Sequence, residues 1–271
     1  MSNLTLVGSA APNLMAQIAA GQSYLSQEDL NTLGGLKTLA AQNTTVAQGS
    51  YEYVPTEQVV QSVGDWLTEN GYEFTVHIIT GAKGKSTKHI AEFTLTNMVL
   101  FNGGGNGKIL VVNSYNAECS LYVLAGAIRF CCANGLIAGE HEFFEKVVHR
   151  AGEVCRMKLM MLNEKIKIAA EYLKTNFGAL VDGMIAQDLK FTKEAQIVLG
   201  LSIPNQAKLM VIEKIHPANR HKLRKEDQPA NVWTLYNIVN EAVREAARHG
   251  MSEFEHNTSL MDDVIRLAKA A

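Results

Sequence analysis

Four groups of residues in this 271-residue sequence have types and spacings suited to chemistry. The first is TGAKGKST, Thr80 to Thr87, which has the composition of a phosphate-binding loop. Such a loop needs glycine five positions before its Gly-Lys-Ser and must open a helix. That position is Ile79, and the residues after Thr87 alternate as a strand, so nucleotide hydrolysis is not expected. The charge of the segment remains: between Glu73 and Glu92 lie Lys83, Lys85, Lys88, His77 and His89, and no acid. A hairpin tip of that kind either contacts phosphates as point charges or keeps an edge hairpin soluble.

The second group lies between Ile203 and Lys225, where Lys208, Lys214, Arg220, Lys222, Arg224 and Lys225 are opposed by Glu213 alone. Concentrated positive charge in a near-neutral chain marks a candidate nucleic-acid patch, or a solvated loop balanced by Glu226 and Asp227. The third is a helix face carrying Trp233, Asn237, Asn240, Arg244 and Arg248. On it Trp233 can stack a base while the amides and guanidiniums bind polar groups, unless the face is the rim of a helix packed on its neighbour. The fourth is Arg129 with Cys131 and Cys132. An arginine in an apolar strand must be paired or reach solvent. Its expected partner is Asn113, Asn116 or a carboxylate across the sheet, with a phosphate as the alternative. The cysteines read as small core residues, and no histidine or cysteine spacing supports a metal site.

These groups hang on elements that the periodicity outlines. Residues 1–50 hold only Glu28, Asp29 and Lys37 as charges, which predicts a flexible polar arm with one short helix capped by Ser26 and running through Leu30, Leu33, Leu36 and Leu39. Pro55 and Thr56 open a better helix with Val59, Val60, Val63, Trp66 and Leu67 on one face, stopped by Asn70 and Gly71. The period then changes to two. Phe74, Val76 and Ile78 form one strand; Ala91, Phe93, Leu95, Val99 and Phe101 form the core face of a second. NGGGNG, Asn102 to Gly107, is a hairpin turn. Ile109–Val112 is a third strand and Leu121–Cys131 a fourth. From about Glu142, Val147 through Met184 keep a three-or-four spacing that predicts one long helix or two stacked ones, broken where Gly152, Gly178 or Gly183 falls. Shorter helices follow Thr192, span Val232–Arg248 and close the chain from Ser259 to Ala270.

The expected fold is therefore α+β: a helix and antiparallel β-meander core (51–141) after the arm (1–50), with a helical region (142–271) packed on it as a single domain overall. The apolar fraction of 47% supports a sizeable core. A formal charge of -2 excludes uniform charge coating of duplex DNA. With no leader pattern and no apolar run of about 18 residues, a soluble cytoplasmic protein that does not engage a membrane is expected.

Three separated motifs, Asn113-Ser114-Tyr115-Asn116, Arg129-Phe130-Cys131-Cys132-Ala133-Asn134-Gly135 and Trp233-Thr234-Leu235-Tyr236-Asn237, resemble a phage and plasmid family of unknown function, domain of unknown function 932, over roughly residues 50–270. That family tends to carry Asp where this chain has Asn116, which removes a charge that would partner Arg129. The resemblance implies a mobile-element origin and no settled activity. The order of elements is also similar to the core of Rad52-type single-strand annealing proteins, an analogy of fold alone. The expectation is a homo-oligomeric protein of DNA metabolism that binds single-stranded DNA and anneals complementary strands without ATP, cofactor, metal or catalytic residue. Its candidate contacts are Lys83, Lys85, Lys88, Arg129, Arg220, Lys222, Arg224, Lys225, Trp233 and Arg244. The alternative is a non-enzymatic interaction protein that binds a host or phage factor through the polar arm and the long amphipathic helix.

Overall fold

The computed structural model describes residues 14–21, 23–42, 53–81, 86–101, 104–129, 134–137, 145–147, 161–247 and 260–270. The chain divides into two compact units, one formed by Met1–Met98, Gly107–Ala125 and Glu142–Ala170, the other by Val99–Asn106, Gly126–His141 and Glu171–Ala271. The class is α+β. The strands are β1 (Phe74–Thr80), β2 (His89–Leu100), β3 (Gly105–Asn113), β4 (Leu121–Arg129) and β5 (Asn134–Ile137), adjacent in that order, with β6 (Glu145–Val147) also pairing β4.

In the first unit, α1 (Leu14–Ala19) and α2 (Gln27–Gln42) precede α3 (Thr56–Glu69). Ser26 caps α2 as its position implies, its Oγ accepting the Asp29 N–H at 3.1 Å. The helix is long, and Leu33 and Leu36 are buried. On α3 the expected stripe of Val59, Val60, Val63 and Leu67 is buried, and the helix stops at Asn70, followed by Gly71 at φ +76°. β1 runs antiparallel to β2 with Phe74 opposite Leu95 and Thr80 opposite His89.

The alternation of β2 slips where Asn97 turns outward. Its side chain accepts the Glu73 N–H at 3.0 Å and donates to the Gly71 carbonyl at 2.8 Å, closing the turn before β1. Thr96 and Asn97 are therefore both exposed, Met98 is buried, and Val99, expected on the core face, is 60% exposed. On the central strand β3 every residue is buried, including Lys108, whose ammonium pairs with Glu92 Oε1 at 2.6 Å. A buried ammonium is tolerated only with such a partner.

The second unit begins at the glycine-rich turn. Phe101 takes φ +56° and its ring packs on Phe177 and Trp233, with centroids 5.8 and 5.3 Å away. Gly105 lies so close to β4 that a Cβ there would fall inside the contact radius of the Ile128 carbonyl oxygen and of the Phe101 ring. Gly105→Ala should therefore destabilise the protein by about 1–3 kcal/mol through overpacking, read as a fall in the urea midpoint at unchanged slope.

The helical reading after Glu142 needs correction at its start: Glu145–Val147 is strand, with Val147 opposite Leu121. The helix α4 spans Leu162–Ile185 and continues through Gly178 and Gly183. Beyond it come α5 (Phe191–Gly200), α6 (Asn205–Ile215), the single turn α7 (Pro217–Arg220), a 3-10 turn at Lys225–Asp227, α8 (Val232–Ala246) and α9 (Leu260–Ala270). Helix α8 opens with a capping box: Asn231 Oδ1 accepts the Thr234 N–H at 2.9 Å, and Thr234 Oγ1 accepts the Asn231 N–H at 3.3 Å. It packs on α6 and α9, with Leu235, Tyr236, Val239, Ala242 and Val243 wholly buried. Among the described residues no helix is long and apolar enough to cross a membrane.

Candidate nucleic-acid interface

The ten candidate contacts separate. Lys88 belongs to the first unit and is half-buried; Lys83 and Lys85 lie outside the described residues, as do Cys131, Cys132 and Arg248. Arg129, Arg220, Lys222, Arg224, Lys225, Trp233 and Arg244 belong to the second unit.

In that unit Arg129, Arg220 and Arg224 are committed to carboxylates. Arg129 Nη1 donates to Asp227 Oδ1 at 2.7 Å, 98 residues downstream, with side chains 8% and 2% exposed. Arg224 Nε takes the other oxygen of Asp227 at 2.8 Å, and its two terminal nitrogens grip both oxygens of Glu241 at 3.2 and 2.6 Å. Lys214 extends the chain of charges to Glu245 at 3.2 Å. The bonds from Glu241 raise the Arg224 pKa against the opposing effect of burial. Burial pushes the Glu241 carboxyl up, but the Arg224 bond and the nearby Lys214, Arg224 and Arg244 bring it below its ordinary value. Arg220 Nη2 bridges both oxygens of Glu194 at 2.5 and 2.6 Å, while Nη1 donates to the carbonyls of Gln228 and Pro229. Glu194 is 1% exposed, and its burial raises its pKa more than Arg220 lowers it.

These struts fold residues 220–229 into a fixed loop. Trp233 is part of the core, 6% exposed, with its ring on Phe101 and Tyr236; Asn237 and Asn240 of the same face are buried as well. Arg244 is half-buried at the end of α8. The two candidate cations left exposed on the loop are Lys222, whose ammonium donates to Asn219 Oδ1 at 2.9 Å, and Lys225. Two lysines that were not among the candidate contacts join them. The Arg220–Glu194 pair and the Phe191–His216 ring contact at 5.3 Å set the first turn of α5 against α7, which places exposed Lys190 and half-buried Lys193 near the loop. Asp188 and Glu226 are the exposed acids flanking this set. The signal for Lys190 and Lys193 was a basic pair bracketing a helix start, too short a run to stand out alone.

The first unit holds a second polar constellation, built on Asn113 to Asn116. Asn113 Nδ2 donates to the Val54 carbonyl at 3.0 Å and to Thr56 Oγ1 at 2.8 Å. Thr56 Oγ1 also meets His89 Nε2 at 2.7 Å, and His89 Nδ1 meets the Thr87 carbonyl at 2.8 Å. The Thr87 carbonyl can only accept, so Nδ1 carries a proton, and in the neutral ring Nε2 then accepts from the Thr56 hydroxyl. Thr87 Oγ1 donates to Asn116 Oδ1 at 2.5 Å, and Tyr115 OH donates to Glu57 Oε2 at 3.1 Å. The amides expected to tie Arg129 make these bonds within this unit, and Arg129 pairs with a carboxylate, that of Asp227. His89, read as part of a basic tip, is wholly buried, its pKa pushed down to about 4 by burial against the opposing bond to Thr87.

Among the described residues no group of three or more His, Cys, Asp or Glu side chains is placed to hold a metal ion. The polar constellations in both units are closed networks that position loops and strand ends. The fold that carries them is an α+β meander in which the motif residues Asn113, Ser114, Tyr115, Arg129, Trp233 and Tyr236 are buried. The chain belongs to the family described as Domain of unknown function (DUF932), whose model matches residues 44–270. No solved structure matches it.

Proposed function

We propose that this is a mobile-element protein of DNA metabolism that binds single-stranded DNA through its phosphates and anneals complementary strands as a homo-oligomer in the cytoplasm. The observation that carries the reading is the fixed loop of the second unit. Arg220 and Arg224 are spent on holding it, so exposed Lys222 and Lys225, with exposed Lys190 and half-buried Lys193 at the start of α5, meet solvent from a rigid frame. Rigid, exposed ammonium groups bind phosphates as point charges and release condensed counterions, which gives affinity without base readout. Alignment of two strands needs no general acid or nucleophile. Annealing itself is drawn from the order of elements, by analogy with Rad52-type proteins.

The test is a salt titration with a labelled oligonucleotide. Four lysines on phosphates predict a slope of log K against log salt of about -2.8, and the Lys222→Ala/Lys225→Ala pair should reduce it by about 1.4. A slope unchanged by the pair, or no binding at low salt, would remove the reading. The other reading, a protein that binds a host or phage factor, is favoured by Leu199 and Leu209. They are 60% and 69% exposed on the packed helices α5 and α6. It predicts that charged substitutions there abolish capture of a protein partner while leaving the salt slope untouched.

A further inference from the structure

Strand β1 forms one edge of the sheet. The Thr96 N–H donates to the Glu73 carbonyl and the Gly81 N–H to the Lys88 carbonyl, so the odd-numbered residues of this segment bond to β2. In an antiparallel pair the alternate residues then face outward, which assigns Phe74, Val76, Ile78 and Thr80 to the open edge. Edges of this kind are normally blunted by lysine, proline, a bulge or a covering element. β1 reads FTVHIIT, a run of strand formers with no Lys, Pro or Gly; the lysines of the hairpin fall beyond it.

The covering element is α2. Asp29 Oδ1 accepts the outward Ile78 N–H at 2.9 Å, with the carboxylate 4% exposed and its other oxygen bound by Ser26 Oγ. The segment is strapped down at three further points: Leu33 is buried, Lys37 pairs with Glu57, and the Tyr24 ring fills a notch at Gly64, where a Cβ would collide with it. The family match begins at residue 44, after α2, so the cover is an addition to the matched domain.

We propose that β1 is a strand-addition edge, that α2 holds it closed through Asp29, and that its occupant once α2 lifts is β1 of a second copy of this chain. The strand is self-complementary. An antiparallel pairing centred on His77 sets Phe74 opposite Thr80 and Val76 opposite Ile78, so all four outward-facing residues pair with one another. The four side chains on the shared face, Phe74, Val76, Ile78 and Thr80, carry no formal charge. The contact is isologous and closes as a two-fold dimer. It stands independently of the nucleic-acid reading, because it uses none of the lysines.

The full-length chain carrying Asp29→Ala is the test. Its mass, followed by light scattering across a concentration series, should reach twice the wild-type value, and the Ile78 amide should exchange faster than wild type at the dilute end. Adding Val76→Pro should restore the wild-type mass: the proline removes an outward N–H and leaves the β1–β2 bonds intact, as edge strands allow. Ser26→Ala, which loosens the carboxylate without deleting it, should shift the mass in the same direction by less, and serves if Asp29→Ala does not fold. Wild-type mass at every concentration in both Asp29→Ala and Ser26→Ala, or a doubled mass that survives Val76→Pro, overturns the proposal.

Discussion

Asp227→Ala should lower the stability of the protein by about 3–5 kcal/mol, one of the two largest effects expected of a single change. Asp227 receives two guanidiniums, Arg129 on one oxygen and Arg224 on the other, and is 1% exposed. Without it, Arg129 loses a charged partner at a site where water reaches only 8% of its side chain, and the desolvation of its charge is offset less well. Arg224 suffers less, since it is 34% exposed and retains both bonds to Glu241. A double-mutant cycle isolates the pair. In an Arg129→Met background the same Asp227→Ala change should cost about 1–2 kcal/mol, because only the Arg224 bond is lost. Equal losses in both backgrounds, measured by urea unfolding, would show that Asp227 acts by shaping the 3-10 turn and not by neutralising Arg129.

That pair also marks how far the sequence could be read. The charge of Arg129 in an apolar run required a partner, and this much is visible in one dimension; the identity of the partner is not, because 98 residues separate the two. β1 and β2 were legible because β-branched and aromatic residues alternate along them, and β3 and β4 as apolar runs beyond a glycine-rich turn; β5, four residues past the expected end of the fourth strand, was not. β6 was not, since Glu145–Val147 is three residues long and Val147 fits the helical spacing that continues into α4. Val99 was misplaced because one side-chain amide, Asn97, shifts the phase of β2. Of the candidate contacts, Lys222 and Lys225 are exposed, as lysine usually is, whereas placing the arginines and Trp233 needed the tertiary structure. Guanidinium pairs well with carboxylates inside proteins and indole is mostly buried, so neither residue type announces from sequence whether it faces inward.

His89 should make the protein sensitive to mild acid. The neutral ring is held between the Thr87 carbonyl and the Thr56 hydroxyl, with the Tyr115 ring 4.9 Å away. A proton on Nε2 would turn an acceptor into a donor, forcing Thr56 Oγ1 to accept from both His89 and Asn113, and would bury a charge. The pKa of the folded state is pushed down to about 4 from the ordinary 6.5, so between those values the unfolded chain binds a proton that the folded chain refuses. Stability from this group is complete above about pH 6.5 and falls with pH through the window. The loss should reach about 2 kcal/mol at pH 5 and about 3 kcal/mol at pH 4. Carboxylates titrate in the lower part of the same range, so the informative quantity is a difference between proteins. His89→Gln presents an amide donor and acceptor without a titrating nitrogen; it should be less stable than wild type at pH 7, yet lose about 2 kcal/mol less on going to pH 5. Parallel pH profiles for the two proteins would mean that the ring accepts its proton in place, with Thr56 and Thr87 rearranging around it.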